Sequence, residues 1–160
     1  FPAEDQQEVS AFHRRTGELQ RAVMGATRVL SEAEDRVKHI RKAIMDTPGI
    51  DPVAIADVEA IQKEINEIQI ALSGDRTLAK HQEAAPPSIR EYLGAATDWY
   101  VTSAPTQTQR DAYGHAADAF KEVLPRIREL IETDLKQLED KLEQAGAPWT
   151  PGRIPTWNAE

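Results

Sequence analysis

The sequence predicts an all-α fold: an antiparallel up-down four-helix bundle with two long and two shorter helices and an extended Pro/Trp-rich C-terminal tail. Three observations carry this. Apolar residues recur in steps of three and four along most of the chain, the spacing that lines one face of a helix. Capping chemistry brackets the runs, with Asp51-Pro52, Ser88 to Glu91 and Thr106 to Gln109 at starts and Ser73-Gly74 and Gly146 at ends. Breakers such as Pro48-Gly49, Pro86-Pro87 and Pro105 fall between the runs. The chain has 160 residues, 40% of them hydrophobic, which suits one domain with enough apolar material for a core. The expected division is a bundle over 1–146 and a tail over 147–160 packed on it.

The first helix is expected over about 3–46. Glu4, Asp5 and Glu8 stand near its start and Lys38, Arg41 and Lys42 near its end, complementing the helix dipole. Its stripe is Phe12, Thr16, Leu19, Val23, Ala26, Leu30, Ala33, Val37, Ile40 and Ile44. Steps of four and three alternate strictly, which is a heptad seam. Thr16 is its one polar member, and Gly17 and Gly25 weaken the helix by up to about 1 kcal/mol each.

Thr47-Pro48-Gly49-Ile50 is a tight turn, and Asp51 caps a second helix over 51–73. So short a link makes helices one and two antiparallel. Ile50 and Ile55 are spaced as a hydrophobic staple. The stripe continues through Val58, Ile61, Ile65, Ile68 and Leu72. Asp75 to Pro87 reads as a loop, or a loop holding one weak helical turn. The third helix, over 88–103, carries Ile89, Leu93, Ala96 and Tyr100, with Tyr92 and Trp99 on its shoulders.

The fourth helix, over 106–145, has its apolar stripe at Tyr113, Ala116, Phe120, Leu124, Ile127, Ile131, Leu135, Leu138, Leu142 and Ala145. About 40 residues at 1.5 Å each make a rod of roughly 60 Å. Pro125 deletes one backbone hydrogen bond and is expected to bend it. The unequal lengths predict a long antiparallel pair, helices one and four, partly covered by the two shorter helices. Beyond Gly146, three prolines favour an extended strap carrying Trp149, Arg153 and Trp157. The tryptophans are expected to dock in a groove of the bundle; the alternative is contact with a neighbouring domain. Trp149, Trp157 and Arg153 are therefore the candidate interaction surface.

The chain carries 27 acidic and 19 basic residues, a net charge of −8. That balance argues against non-specific nucleic-acid binding, which needs phosphate-neutralising Lys and Arg. With no cysteine, disulfides and thiolate metal sites are excluded. No run of about 18 apolar residues offers a membrane span, and no signal peptide is evident. Because the chain begins at Phe1, close to a helix, it reads as a domain or processed fragment of something larger.

Bundles host metals, but the residues three before His13, His39, His81 and His115 are Ser10, Arg36, Leu78 and Ala112. The Glu-x-x-His signature of di-iron bundles is missing. Asp111, His115 and Asp118 form at most a weak surface site. There is no glycine-rich phosphate loop and no Gly-x-Ser-x-Gly elbow. The carboxylate runs Glu32/Glu34/Asp35, Glu64/Glu67 and Glu139/Asp140/Glu143 read as solvated faces with exposed ion pairs. Arg36, Lys38, His39, Arg41 and Lys42 form a basic cluster at a helix C-terminus, where the dipole favours it; binding an acidic partner is the other reading. No catalytic residue, cofactor or metal ligand is expected.

The stretch Ala104-Pro-Thr-Gln-Thr-Gln-Arg-Asp-Ala-Tyr113 resembles a turn and helix start in the C-terminal region of bacterial proteins with sortilin-like or BNR-type β-propeller repeats, often labelled glycosyl hydrolases. The following helix, with Leu130 to Leu142 and Ala145-Gly146-Ala147-Pro148, is similar to that family's ending. The resemblance implies a helical segment that follows a propeller and a small β-sandwich domain, in an exported, extracytoplasmic protein. It carries over no catalytic residue. The expectation is a non-catalytic module that braces other domains or binds a protein partner. A free-standing coiled-coil adaptor and a ligand-binding or enzymatic bundle are the alternatives.

Overall fold

The computed structural model describes residues 3–81, 84–97 and 104–159, and these form an all-helical bundle without strands. Helix α1 runs Ala3–Met45 and α2 Pro52–Ser73. A short α3, Arg76–Lys80, lies in the stretch expected to be loop or weak turn. Helix α4 is described over Ile89–Thr97. The continuation of the third helix to 103, with Trp99 and Tyr100, lies outside the described residues. Helix α5, Gln107–Glu129, passes through Pro125 into a π-helical turn, Leu130–Leu135, and then α6, Lys136–Gln144. Among the described residues no helix is long and apolar enough to cross a membrane.

The expected caps form at Asp51, Thr106 and Gly146, and Asp75 adds one in the stretch expected to be loop. Asp51 Oδ1 accepts from Val53 N–H at 2.9 Å, and Asp75 Oδ1 from Thr77 N–H at 2.9 Å. Thr106 and Gln109 close a reciprocal box: Thr106 N–H donates to Gln109 Oε1 at 2.9 Å and Gln109 N–H to Thr106 Oγ1 at 3.2 Å. At Gly146, φ +70°, Ala147 N–H reaches Leu142 O and Gly146 N–H reaches Glu143 O, both at 3.0 Å. That pair of bonds is a Schellman stop, and its left-handed residue favours glycine. At the other end of the first turn of α2, Ile55 is 49% exposed and Ala54 is buried instead, so the expected staple does not take Ile55 inward.

The chain divides into two compact units. The first comprises 1–28 and 67–125; the second comprises 29–66 and 126–160. In the first unit the core holds Phe12, Val23, Ala26, Ile68, Leu72, Ile89, Leu93, Ala96, Ala112, Ala116 and Phe120. Phe12 meets the edge of Tyr113 with ring centres 5.9 Å apart, and Arg110 Nη2 contacts Glu8 Oε1 at 2.5 Å. These pairs step along α1 and α5 in the same sense. The two long helices therefore run parallel there, not antiparallel as expected. The described parts of α3 and α4 are too short to count as full passes. Among the described residues the long helical runs are α1, α2 and α5 continued to α6, and the first and third of an alternating set share a direction. Thr16 is buried, but its hydroxyl donates to Phe12 O at 2.8 Å, so it serves its own helix.

In the second unit the core holds Leu30, Ala33, Val37, Ile40, Val58, Ile61, Ile65, Ile127, Leu130, Leu135, Leu138 and Leu142. Each fully buried aliphatic side chain of this kind contributes about 1.5–3 kcal/mol. Lys141 contacts Asp57 at 2.5 Å and Arg126 contacts Glu64 at 2.6 Å. One series rises as the other falls, so α2 is antiparallel to the C-terminal helical run. Helix α1 meets α2 through Arg41 and Glu59.

The stripes of α1 and α2 are buried as expected, except that Leu19 is only half-buried. The C-terminal run differs. Leu124 is 38% exposed, Ile131 is half-buried and Ala145 is exposed; Val123 and Leu130 face the core instead. The buried series is Phe120, Val123, Ile127, Leu130, Leu135, Leu138 and Leu142. Its one five-residue step, Leu130 to Leu135, coincides with the π turn, whose wider winding takes up an extra residue.

Candidate functional site

The densest polar arrangement lies in the second unit, where the strap meets α6 and α1. Gly146 turns the chain out of α6, and Pro151-Gly152 turns it again, with Gly152 at φ +87°. A glycine suits that left-handed position. Arg153 follows directly, its side chain only 9% exposed.

Arg153 binds two carboxylates, Nε at 3.4 Å from Glu139 Oε2 and Nη2 at 3.0 Å from Glu143 Oε2. Glu139 is 4% exposed, and its other oxygen accepts from Arg36 Nη2. The result is an Arg–Glu–Arg triad with the anion at its centre. A buried carboxylate without partners costs several kcal/mol, and two guanidinium forks offset that cost. Thr156 Oγ1 donates to Glu143 Oε1 at 2.9 Å, fixing the strap at a second point. Trp149 stacks on the Arg153 guanidinium, 4.6 Å from ring centre to carbon. Arg36 Nε and Thr150 Oγ1 are buried without a hydrogen-bond partner.

Arg153, Trp149 and Trp157, the candidate interaction surface, differ in exposure. Arg153 and Trp149 come together; Trp157 is 87% exposed and Ile154 88%. The expectation that both indoles sink into a groove is corrected: Trp149 is 42% exposed and meets Arg153, and Trp157 stands out in solvent. The strap is held by charge and one stacked ring. Sequence reasoning missed Glu139, assigned to a solvated face, and Arg36, assigned to the basic cluster at a helix C-terminus. The available signal was position: Glu139 follows the core residue Leu138 and Arg36 precedes Val37, so both sit at a seam edge where burial begins. Their acidic neighbours Asp140 and Glu143 are exposed as expected.

A second place to look is the groove beside the π turn, about 320 Å³ and lined by Asp57, Glu64, Asp134, Gln137, Leu138 and Lys141, among others. Burial, and then the charges of Glu64 and Asp57, push the Asp134 carboxyl above its ordinary value of 3.8. Glu64 and Asp57 already hold Arg126 and Lys141, so the groove carries its own counter-charges. Elsewhere, Asp111 accepts from Gln107 Nε2 at 2.8 Å, and His115 packs on Tyr92 with ring centres 5.2 Å apart. Among the described residues no group of three His, Cys, Asp or Glu side chains could hold a metal. Arg41 of the basic cluster is paired to Glu59, and Lys38 lies 3.9 Å from Asp35.

No protein-family model, no curated protein and no solved structure matches this chain.

Proposed function

We propose that this chain is a non-catalytic helical module that works through protein contacts, with the strap as its contact element. One observation carries the reading: the strap is fixed at Arg153, 9% exposed, yet presents Ile154 and Trp157, 88% and 87% exposed. Large apolar side chains held out on an anchored, extended segment suit a complementary protein groove, since the anchor has already removed part of the ordering entropy. The Ala104–Tyr113 resemblance supports the setting, a C-terminal helical region of a larger exported β-propeller protein in which the module braces the other domains or recruits a partner. The edges that a coiled-coil adaptor would offer another chain, such as Val37 and Ile40 at 0% exposure, are buried within the chain itself, which favours the first reading.

The encoding reading frame tests the setting: propeller repeats upstream support it, and a complete short gene starting near Phe1 overturns it. Calorimetric titration of the chain against the separately produced upstream region tests the contact. Ile154→Ser with Trp157→Ser is expected to weaken binding by about tenfold or more. Unchanged affinity would move the contact off the strap.

A further inference from the structure

We infer that the strap is a latch, able to leave the second unit while the helices beneath it stay folded. This rests on the strap's contacts and does not depend on the proposed module function. The attachment is ionic. Arg153 enters between Glu139 and Glu143 with Trp149 stacked on its guanidinium, Thr156 adds a hydroxyl, and the apolar Ile154 and Trp157 face away.

What the strap leaves behind on opening favours release. Glu139 keeps Arg36, so the buried carboxylate is not stranded. Glu143, its side chain already 40% exposed, passes to water. Arg153 passes to water as well, and a guanidinium is always charged and well tolerated there. Arg36 Nε and Thr150 Oγ1, which lack partners in the closed arrangement, would both be hydrated. Two buried donors that gain hydrogen bonds on opening make the closed state only modestly favoured. Gly146, at φ +70° where the chain leaves α6 ahead of Thr150, is the natural hinge.

The latch contains its own reporter. Trypsin cleaves after Arg153, and it must take the Arg153 side chain into its pocket, so the Arg153–Ile154 bond is protected while the latch is closed. The experiment is mass spectrometric timing of that cut in the full chain, with helicity followed by circular dichroism. Cleavage is expected to be slower than in a free peptide of the same tail sequence. It should accelerate about threefold or more on raising salt from 0.05 to 0.5 M, where exposed parts of the ion network are screened. Glu139→Gln and the milder Glu143→Gln should each accelerate it, Glu139→Gln by about tenfold, with helicity and melting temperature retained. Should Glu139→Gln fail to fold, Glu143→Gln, at a partly exposed site, still decides. Cleavage as fast as in the free peptide would mean that no latch exists. Cleavage that rises only in step with loss of helicity would mean that the strap is part of the cooperative fold; either result overturns the inference.

Discussion

At the scale of single residues, adjacent apolar pairs separate what burial does from what hydrophobicity does. Leu130 is 1% exposed and its neighbour Ile131 is half-buried. Leu130→Asp places a charge among Ile127, Leu135 and Leu138 with no partner, and should cost more than about 3 kcal/mol, enough to unfold the domain. Ile131→Asp should cost about 1 kcal/mol and leave a folded protein. Thermal melts followed by circular dichroism check this, and equal effects at the two positions would contradict the register. Asp134 makes a separate test. Its carboxyl is raised above 3.8 by burial and by the neighbouring charges of Glu64 and Asp57. Such a group holds its proton more tightly folded than unfolded. Its charge therefore opposes folding at neutral pH, and the penalty fades as pH falls through the raised value. Asp134→Asn should melt higher than the natural chain at pH 7, and the gain should shrink as pH falls toward 3.8 and vanish well below it, where both states carry the proton. A gain independent of pH would assign the effect to something other than the charge.

At the scale of elements, α1 and α2 were legible almost residue by residue, because one alternation of three and four runs unbroken through them, even where an exposed apolar neighbour stands beside it, as Val29 beside Leu30. The caps were legible for a similar reason: Thr106 with Gln109 and Asp51 with Pro52 satisfy orphan donors that any helix start must satisfy. The C-terminal run was legible in extent but not in register. Val123-Leu124 and Leu130-Ile131 each offer two apolar candidates, and a reading in steps of three and four prefers Leu124 and Ile131 because those steps reach Leu135 without interruption. The molecule instead takes Val123 and Leu130 and makes up the difference with a π turn. Without that turn, the position four after Leu130 is Asp134, and the core would receive a carboxylate in place of Leu135. The direction of the long pair was missed because the third helix, expected over 88–103 and described over Ile89–Thr97, was counted as a full pass. Among the site residues, Arg153 was found, whereas Glu139 was not, since a charged residue beside a seam looks the same in sequence whether or not partners arrive to cover it. The π turn yields its own prediction. Deleting exposed Glu132 should convert it to α-helix and keep Leu130 and Leu135 on one face, so stability should stay within about 1 kcal/mol. Deleting Ser31 from α1 should rotate the following stripe by about 100° and destroy the fold. Chemical denaturation of both variants checks this; a collapse of the Glu132 deletion would show that the extra residue is required.

At the scale of the whole molecule, the question is whether the apolar edges are consumed within one chain. A strict heptad such as that of α1 can pair within a chain or between chains, and periodicity does not choose. Burial does. Val37, Ile40, Ile65, Ile68, Leu135 and Leu142 are all at 0% exposure in a single chain, so pairing through these edges would require a second copy to displace the first chain's own helices. The net charge of −8 adds repulsion between copies at low salt. Sedimentation velocity over a hundredfold range of concentration is therefore expected to show one species of monomer mass. The strap supplies a competing argument, because Ile154 and Trp157 are exposed and two copies could bury them together. Trp157→Ser separates the cases. A dimer that this substitution abolishes would belong to the strap and leave the intramolecular seams standing. A dimer that survives it, and that Leu30→Ala weakens, would place the α1 seam between chains and reverse the assignment of the core.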